Sequence, residues 1–149
     1  MNIKQQLYNY CIEFIENRFQ TIESTINEIQ NALTTETKST AGDKHETGRA
    51  MLQLEREKAG NQLSEVQKIK EALIRINTNK SSNTVSLGSV VYTSNLNYFI
   101  AISAGELRVD KEIFYAISPS TPIGQLLLGK MVGDSVMFRN QKFIIDNII

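Results

Sequence analysis

The sequence predicts an α+β chain: a long N-terminal antiparallel coiled-coil hairpin of helices, then a small antiparallel β-sheet domain with one short helix. Three observations predict it. Both prolines, Pro119 and Pro122, and five of the eight glycines fall after residue 85, so the first 80 residues hold almost nothing that breaks a helix. Large apolar residues recur in that half at intervals of three and four. Beyond residue 84 the pattern becomes short runs rich in Val, Ile, Phe and Tyr, bounded by Gly, Asn, Asp and Ser.

In the first helix Tyr8, Ile12, Ile15, Phe19, Ile22, Ile26, Ile29 and Leu33 form an unbroken heptad seam. Leu7, Cys11 and Phe14 widen the stripe at its start, so this end is expected to contact something besides a single partner helix. Leu52, Ala59, Leu63, Val66, Ile69, Leu73 and Ile76 mark a second helix. Leu33 and Leu52 flank a polar gap, and an antiparallel hairpin pairs the two seams end to end. Arms of this length make a rod on the order of 40 Å at 1.5 Å per residue. Its tip, near residues 34–50, has no large apolar residue before the seam resumes, and either forms a long polar loop or holds a short turn between helices that run on.

Residues 77–83, Asn-Thr-Asn-Lys-Ser-Ser-Asn, read as a linker, which places the hairpin at 1–78 and the sheet domain at 79–149. Val85–Tyr92, Leu96–Ser103, Glu112–Ile117, Ser135–Phe138 and Lys142–Ile149 read as strands, about five in all. Pro122 to Lys130 reads as a short helix, with proline in its first turn and Gly129 at its end.

The chain has 149 residues, 41% of them apolar, enough for a buried core. Lys and Arg total 16 against 16 Asp and Glu; the balance is 11 against 11 up to residue 80 and 5 against 5 after it. Neither half carries the basic footprint of a sequence-specific DNA binder. One cysteine, Cys11, excludes a disulfide framework and reads as a small buried apolar residue. With neither a membrane span nor a secretory leader in the pattern, a cytoplasmic protein is expected.

Conventional catalytic motifs are missing, and the only histidine is His45. The most chemical cluster lies at the tip: Glu36, then Gly42-Asp43-Lys44-His45-Glu46, then Arg49. Asp43 and Glu46 are three apart, on one face of a helical turn. Two such carboxylates suit Mg²⁺, a hard ion that takes one or two from a protein and keeps waters. The same spacing also makes a capping box at a helix start. Leu126-Leu127-Leu128 offers a docking surface, although part of it must cover the sheet.

The order of these features resembles the Gre-type bacterial transcript cleavage and transcription elongation factors. The sharpest likeness is Ile117-Ser-Pro-Ser-Thr-Pro-Ile-Gly-Gln-Leu-Leu-Leu-Gly-Lys130 followed by Val132-Gly-Asp-Ser-Val136, with Val85–Val91 similar to the strand that opens that domain. At the tip Gly42-Asp43-x-x-Glu46 matches the family's acidic pair. The resemblance implies an FKBP-like C-terminal domain, and a hairpin that enters the secondary channel of RNA polymerase. Asp43 and Glu46 would help hold a Mg²⁺ shared with the polymerase, bound only in that complex, while backtracked RNA is hydrolysed near its 3′ end. The protein itself would be a monomeric accessory factor rather than an enzyme. Lys44-His45 and Thr47-Gly48-Arg49-Ala50 depart from the family pattern. A channel-binding regulator without cleavage activity is therefore a second expectation. An isomerase or chaperone suggested by the FKBP-like fold, or a structural coiled-coil oligomer, are others.

Overall fold

Helix α1 runs over Ile3–Lys38 and helix α2 over Gly42–Ile74. The computed structural model describes residues 2–38 and 42–149, with side chains for 2–35 and 47–149. Asn2 caps α1, its Oδ1 accepting the Gln5 backbone N–H at 2.7 Å. No glycine or proline follows until Gly42, so both helices extend through most of the polar stretch expected at the tip. Polarity does not end a helix. Thr34 and Thr35 donate their hydroxyls to the carbonyls of Gln30 and Asn31 at 3.0 and 3.1 Å, satisfying them within α1.

The chain forms two compact units, Ile15–Lys70 and Met1–Phe14 with Glu71–Ile149. In the first, Ile26, Ile29 and Leu33 cluster with Leu52 and Ala59. Lys70 Nζ lies 2.7 Å from Glu16 Oε1 and 5.3 Å from the centre of the Phe19 ring. Early residues of α1 meet late residues of α2, so the helices are antiparallel. Among the described side chains of α2, Arg49, Leu52, Arg56, Ala59, Leu63, Val66, Lys70 and Leu73 form a buried and half-buried row, with Gly48, Gly60, Ile69 and Ala72 beside them. Three members of that heptad row are therefore cations, whose long stems pack while the heads reach solvent or a partner.

The second unit is built on six strands: β1 Val90–Thr93, β2 Tyr98–Ile100, β3 Gly105–Val109, β4 Glu112–Ile117, β5 Ser135–Phe138 and β6 Gln141–Ile148, with α3 at Pro122–Leu127. Their order is β3-β4-β2-β1-β6-β5. The sheet is mixed rather than antiparallel, because β2 pairs with β4 in parallel while the other pairs are antiparallel. The hairpin of β3 and β4 causes this: β3 takes the edge and β4 returns beside β2 in the same direction. β3 escapes the sequence pattern because only Leu107 and Val109 are large and apolar in it. The expected strand Val85–Tyr92 is split. Ser89 N–H donates to the Ser86 carbonyl at 3.0 Å, closing a turn with Gly88 at φ +93°. Val85 pairs instead with the segment after α3, accepting from Gly129 N–H at 2.8 Å and donating to the Lys130 carbonyl at 2.9 Å.

One face of the sheet is buried throughout its centre, and the other is buried over β1, β2 and β4 but exposed over β5 and β6. On one, Val91, Tyr98, Ile100, Phe143 and Ile145 pack with Ile123 and Leu127 of α3. On the other, Val90, Phe99 and Phe114 are wholly buried, and Tyr92 meets Phe114 edge-on at 5.6 Å between centroids. The helical segments of this unit besides α3 are the first turns of α1 and the last of α2, where Leu7, Cys11 and Leu73 are also wholly buried. In the first turns of α1, Leu7 and Cys11 outrank Tyr8 and Ile12 in burial. Ile76 fits against Gly88, where an added Cβ would come within 2.9 Å of its Cγ2. Cys11 is the buried residue the sequence predicts, and burial pushes its thiol up to about 12.

Candidate functional site

The acidic pair belongs to the first turn of α2, which begins at Gly42. The helical backbone over 42–46 makes Asp43 and Glu46 a pair three residues apart; their side chains, with those of Glu36, Lys38, Lys44 and His45, lie outside the described residues. Oxygen ligands at this spacing fit a hard divalent cation, and the positive end of the helix dipole favours carboxylates in a first turn. Among the described residues no three His, Cys, Asp or Glu side chains gather to hold a metal.

One turn further along α2, Arg49 donates from Nη1 to the Leu33 carbonyl of α1 at 3.3 Å. This bond ties α2 to α1 immediately below the acidic turn. The residue order groups Arg49 with the tip cluster and gives it no role; its side chain is half-buried and acts as a brace. The apolar cluster of Ile29, Leu33 and Ala59 continues the brace one turn lower. Its place three residues before Leu52 in the seam spacing is a signal in the residue order, whereas its acceptor, a main-chain oxygen 16 positions away, leaves none.

The second candidate surface is the Ser118–Asp134 segment. Thr121 is the N-cap of α3: its hydroxyl donates to the Ser118 carbonyl at 2.7 Å and accepts Gly124 N–H at 3.1 Å. Gly124 sits against that turn, where a Cβ would lie 2.5 Å from the Ser118 carbonyl oxygen. After α3, Gly129 and Gly133 take φ of +80° and +92°. Asp134 N–H closes a turn on the Met131 carbonyl at 3.0 Å, and its Oδ2 accepts Met131 N–H at 2.7 Å. Thr121, Gly124, Gly129, Gly133 and Asp134 thus each have a steric, conformational or hydrogen-bonding cause. Leu127 is wholly buried under the sheet, whereas Leu126, Leu128, Met131 and Val132 are exposed.

The class these features define is an α+β protein in which two long antiparallel helices precede a mixed six-stranded sheet with one short helix. The chain matches no protein-family model and no curated protein sequence. Solved structures similar to it include the following two. The crystal structure of the GreA factor homolog 1 (Gfh1) protein of Thermus thermophilus shares 20% identity over 92% of this chain and 93% of its own, with a TM-score of 0.38. A structure described as that of the transcription factor Gfh1 shares 22% identity over 91% of each chain, with a TM-score of 0.37. A likeness at this level assigns neither a site nor an activity. Among the described residues no helix is long and apolar enough to cross a membrane.

Proposed function

We propose that this protein is a transcription elongation factor that binds RNA polymerase through its secondary channel and stimulates the polymerase's own cleavage of backtracked RNA. The observation that carries the reading is the start of α2 at Gly42, which sets Gly42-Asp43-x-x-Glu46 in one helical turn at the end of a braced antiparallel helix pair. From Lys70 to that turn α2 rises about 42 Å at 1.5 Å per residue, enough to carry two carboxylates deep into a channel. The signature from Ile117 to Val136 supports it, since its glycines, Thr121 and Asp134 each build the turn that the family pattern requires.

Asp43 and Glu46 are the residues that would hold a Mg²⁺ shared with the polymerase. Bound there, the ion would offset charge developing on the reacting phosphate oxygens and lower the pKa of a water. Two carboxylates alone bind Mg²⁺ weakly, so this chain's acids act only beside the acids of a partner. The Arg49 bond and the Ile29–Leu33–Ala59 cluster limit the drift of the acidic turn. In this role the chain is an accessory factor. Exposed Leu126, Leu128, Met131 and Val132 form the apolar part of a surface that docks at the channel rim.

The test is a backtracked complex assembled with purified polymerase and treated with wild type or Asp43→Asn/Glu46→Gln. Wild type is expected to shorten the RNA from its 3′ end, and the double variant to lose at least tenfold in rate while still binding. Equal cleavage by both would refute the role of the pair. Binding without cleavage by the wild type would assign the regulator reading, which Lys44-His45 between the acids favours by adding cationic charge there.

A further inference from the structure

Lys4 is one of the few buried polar residues of the chain, with only 7% of its surface exposed, and it lies in the first turn of α1. Its Nζ donates one hydrogen bond, to the Lys80 carbonyl at 2.6 Å. An ammonium has three N–H bonds to place, so two point away from any protein acceptor. Burial without a carboxylate partner pushes its pKa below the usual lysine range. The ion pairs among the described residues join Lys68 to Glu65 and Lys70 to Glu16, and none involves Lys4.

The loop that follows α2 is strapped over this turn. Thr78 Oγ1 donates to Gln5 Oε1 at 2.6 Å, and Lys80 N–H reaches the Asn77 carbonyl at 3.2 Å. Between loop, helix end and the Ser86–Ser89 turn lies a cavity of about 310 Å³, lined by Lys4, Arg75 and Lys80 together with serines that include Ser82, Ser86 and Ser89. Its described lining contains three cations and no carboxylate. Ser89 is almost wholly buried, its Oγ accepts Ser86 N–H at 3.0 Å and shares a hydrogen bond with Ser86 Oγ at 3.4 Å, which leaves one hydroxyl hydrogen of the pair to donate. A water takes about 30 Å³ of liquid volume, so the space suits something larger than a single solvent molecule.

We infer that this cavity is a binding site for a tetrahedral oxyanion, a phosphate or diphosphate group, held by the Lys4 ammonium and by Arg75, Lys80 and the serine hydroxyls. The lining is chemically one-sided: cations and hydroxyls border the space, and an anion supplies both the charge and the acceptors they lack. Arg75 matches a phosphate edge with its planar fork, while Lys4, held by the Lys80 carbonyl, acts as a fixed point charge. The ligand is either a free ion or the phosphate end of a nucleotide. The site draws on none of the residues of the acidic turn of α2 and does not depend on the proposed action on RNA.

Calorimetric titration of the full chain with sodium phosphate, sodium diphosphate and ADP, at ionic strength held constant with chloride, tests this. Saturable binding of at least one is expected, weakened at least tenfold in Lys4→Met and at least threefold in Arg75→Gln/Lys80→Gln. Both Arg75 and Lys80 are exposed, so the double variant keeps the packing intact if Lys4→Met fails to fold by circular dichroism. ADP binding tighter than diphosphate would assign the nucleotide, and equal binding the bare anion. No saturable heat from any of the three, or affinities unchanged in the folded variants, would overturn the site.

Discussion

Gly124→Ala separates helix propensity from the steric design of the Ser118–Asp134 segment, because the two predict opposite signs. By propensity alone, alanine in place of glycine in a helix stabilises by about 1 kcal/mol. In this fold the new Cβ would stand 2.5 Å from the Ser118 carbonyl oxygen, 2.9 Å from Thr121 Oγ1 and 3.1 Å from Pro119 Cα, well inside the 3.4 Å where ordinary contact begins. The nearest obstacle is main chain, and it is pinned by the Thr121 hydroxyl and by Thr121 N–H at 2.7 and 3.1 Å. Forcing a methyl into such a site costs about 1–3 kcal/mol, and displacing the Thr121 cap adds about 1 kcal/mol. Net destabilisation of about 1–3 kcal/mol follows once the propensity gain is set against these. All five tyrosines lie in the unit that contains the sheet, so urea unfolding followed by tyrosine fluorescence reads that unit. With m near 1–3 kcal/mol/M in urea, the midpoint should fall by about 1 M. An unchanged or raised midpoint would refute the steric account. Gly129→Ala is the control: its Cβ meets open space, so only its left-handed φ of +80° is penalised, by about 1 kcal/mol.

The Cys11 thiol should resist a disulfide reagent at pH 8 in native protein and react on unfolding. Above its ordinary value of 9.0 the unfolded chain releases the thiol proton that the folded chain holds to about 12, so stability falls as pH rises through that window. The advantage of wild type over Cys11→Ala should shrink by about 1.4 kcal/mol between pH 8 and pH 10, and a constant gap in urea midpoints would contradict it. Leu127→Ala should cost about 2–5 kcal/mol, whereas Leu126→Ser/Leu128→Ser should stay within about 0.5 kcal/mol per site and weaken polymerase binding; the reverse ranking in thermal melts would reject the assignment of buried and docking leucines. Arg139 and Asn140, both at positive φ, form the two-residue turn between β5 and β6. Arg139→Gly should therefore stabilise by about 0.5–1 kcal/mol, reduced by whatever the guanidinium gains from stacking 5.1 Å above the Phe138 ring; a lower melting temperature would count against the turn assignment.

Much of this fold is legible in the residue order because its signals are local. The heptad seam from Tyr8 to Leu33 needs only the helical period, and β4 and β5 coincide with the expected Glu112–Ile117 and Ser135–Phe138. What escaped is equally specific. β3 has too few apolar residues to stand out, since an edge strand buries little. The break at Gly88 turns on one glycine's φ and on Ile76 pressing against it, neither visible in a run of Val, Leu and Ser. For the acidic pair, residue types and spacing were readable, while the Arg49 brace beneath it was not, because its acceptor carries no side-chain signature.

The sequence by itself determined two long helices, a sheet domain with a short capped helix, a buried Cys11 and the grouping of Asp43 with Glu46, all consequences of period, punctuation and spacing within a few residues. Only the tertiary structure decided that β4 lies parallel to β2, that Ile76 presses on Gly88, and that Lys4 meets Lys80 across 76 positions in a cavity whose described lining holds no carboxylate. The physical reason is reach. Periodicity records which side of an element is apolar, whereas partner choice and charge balance depend on groups that chain folding brings together from far apart.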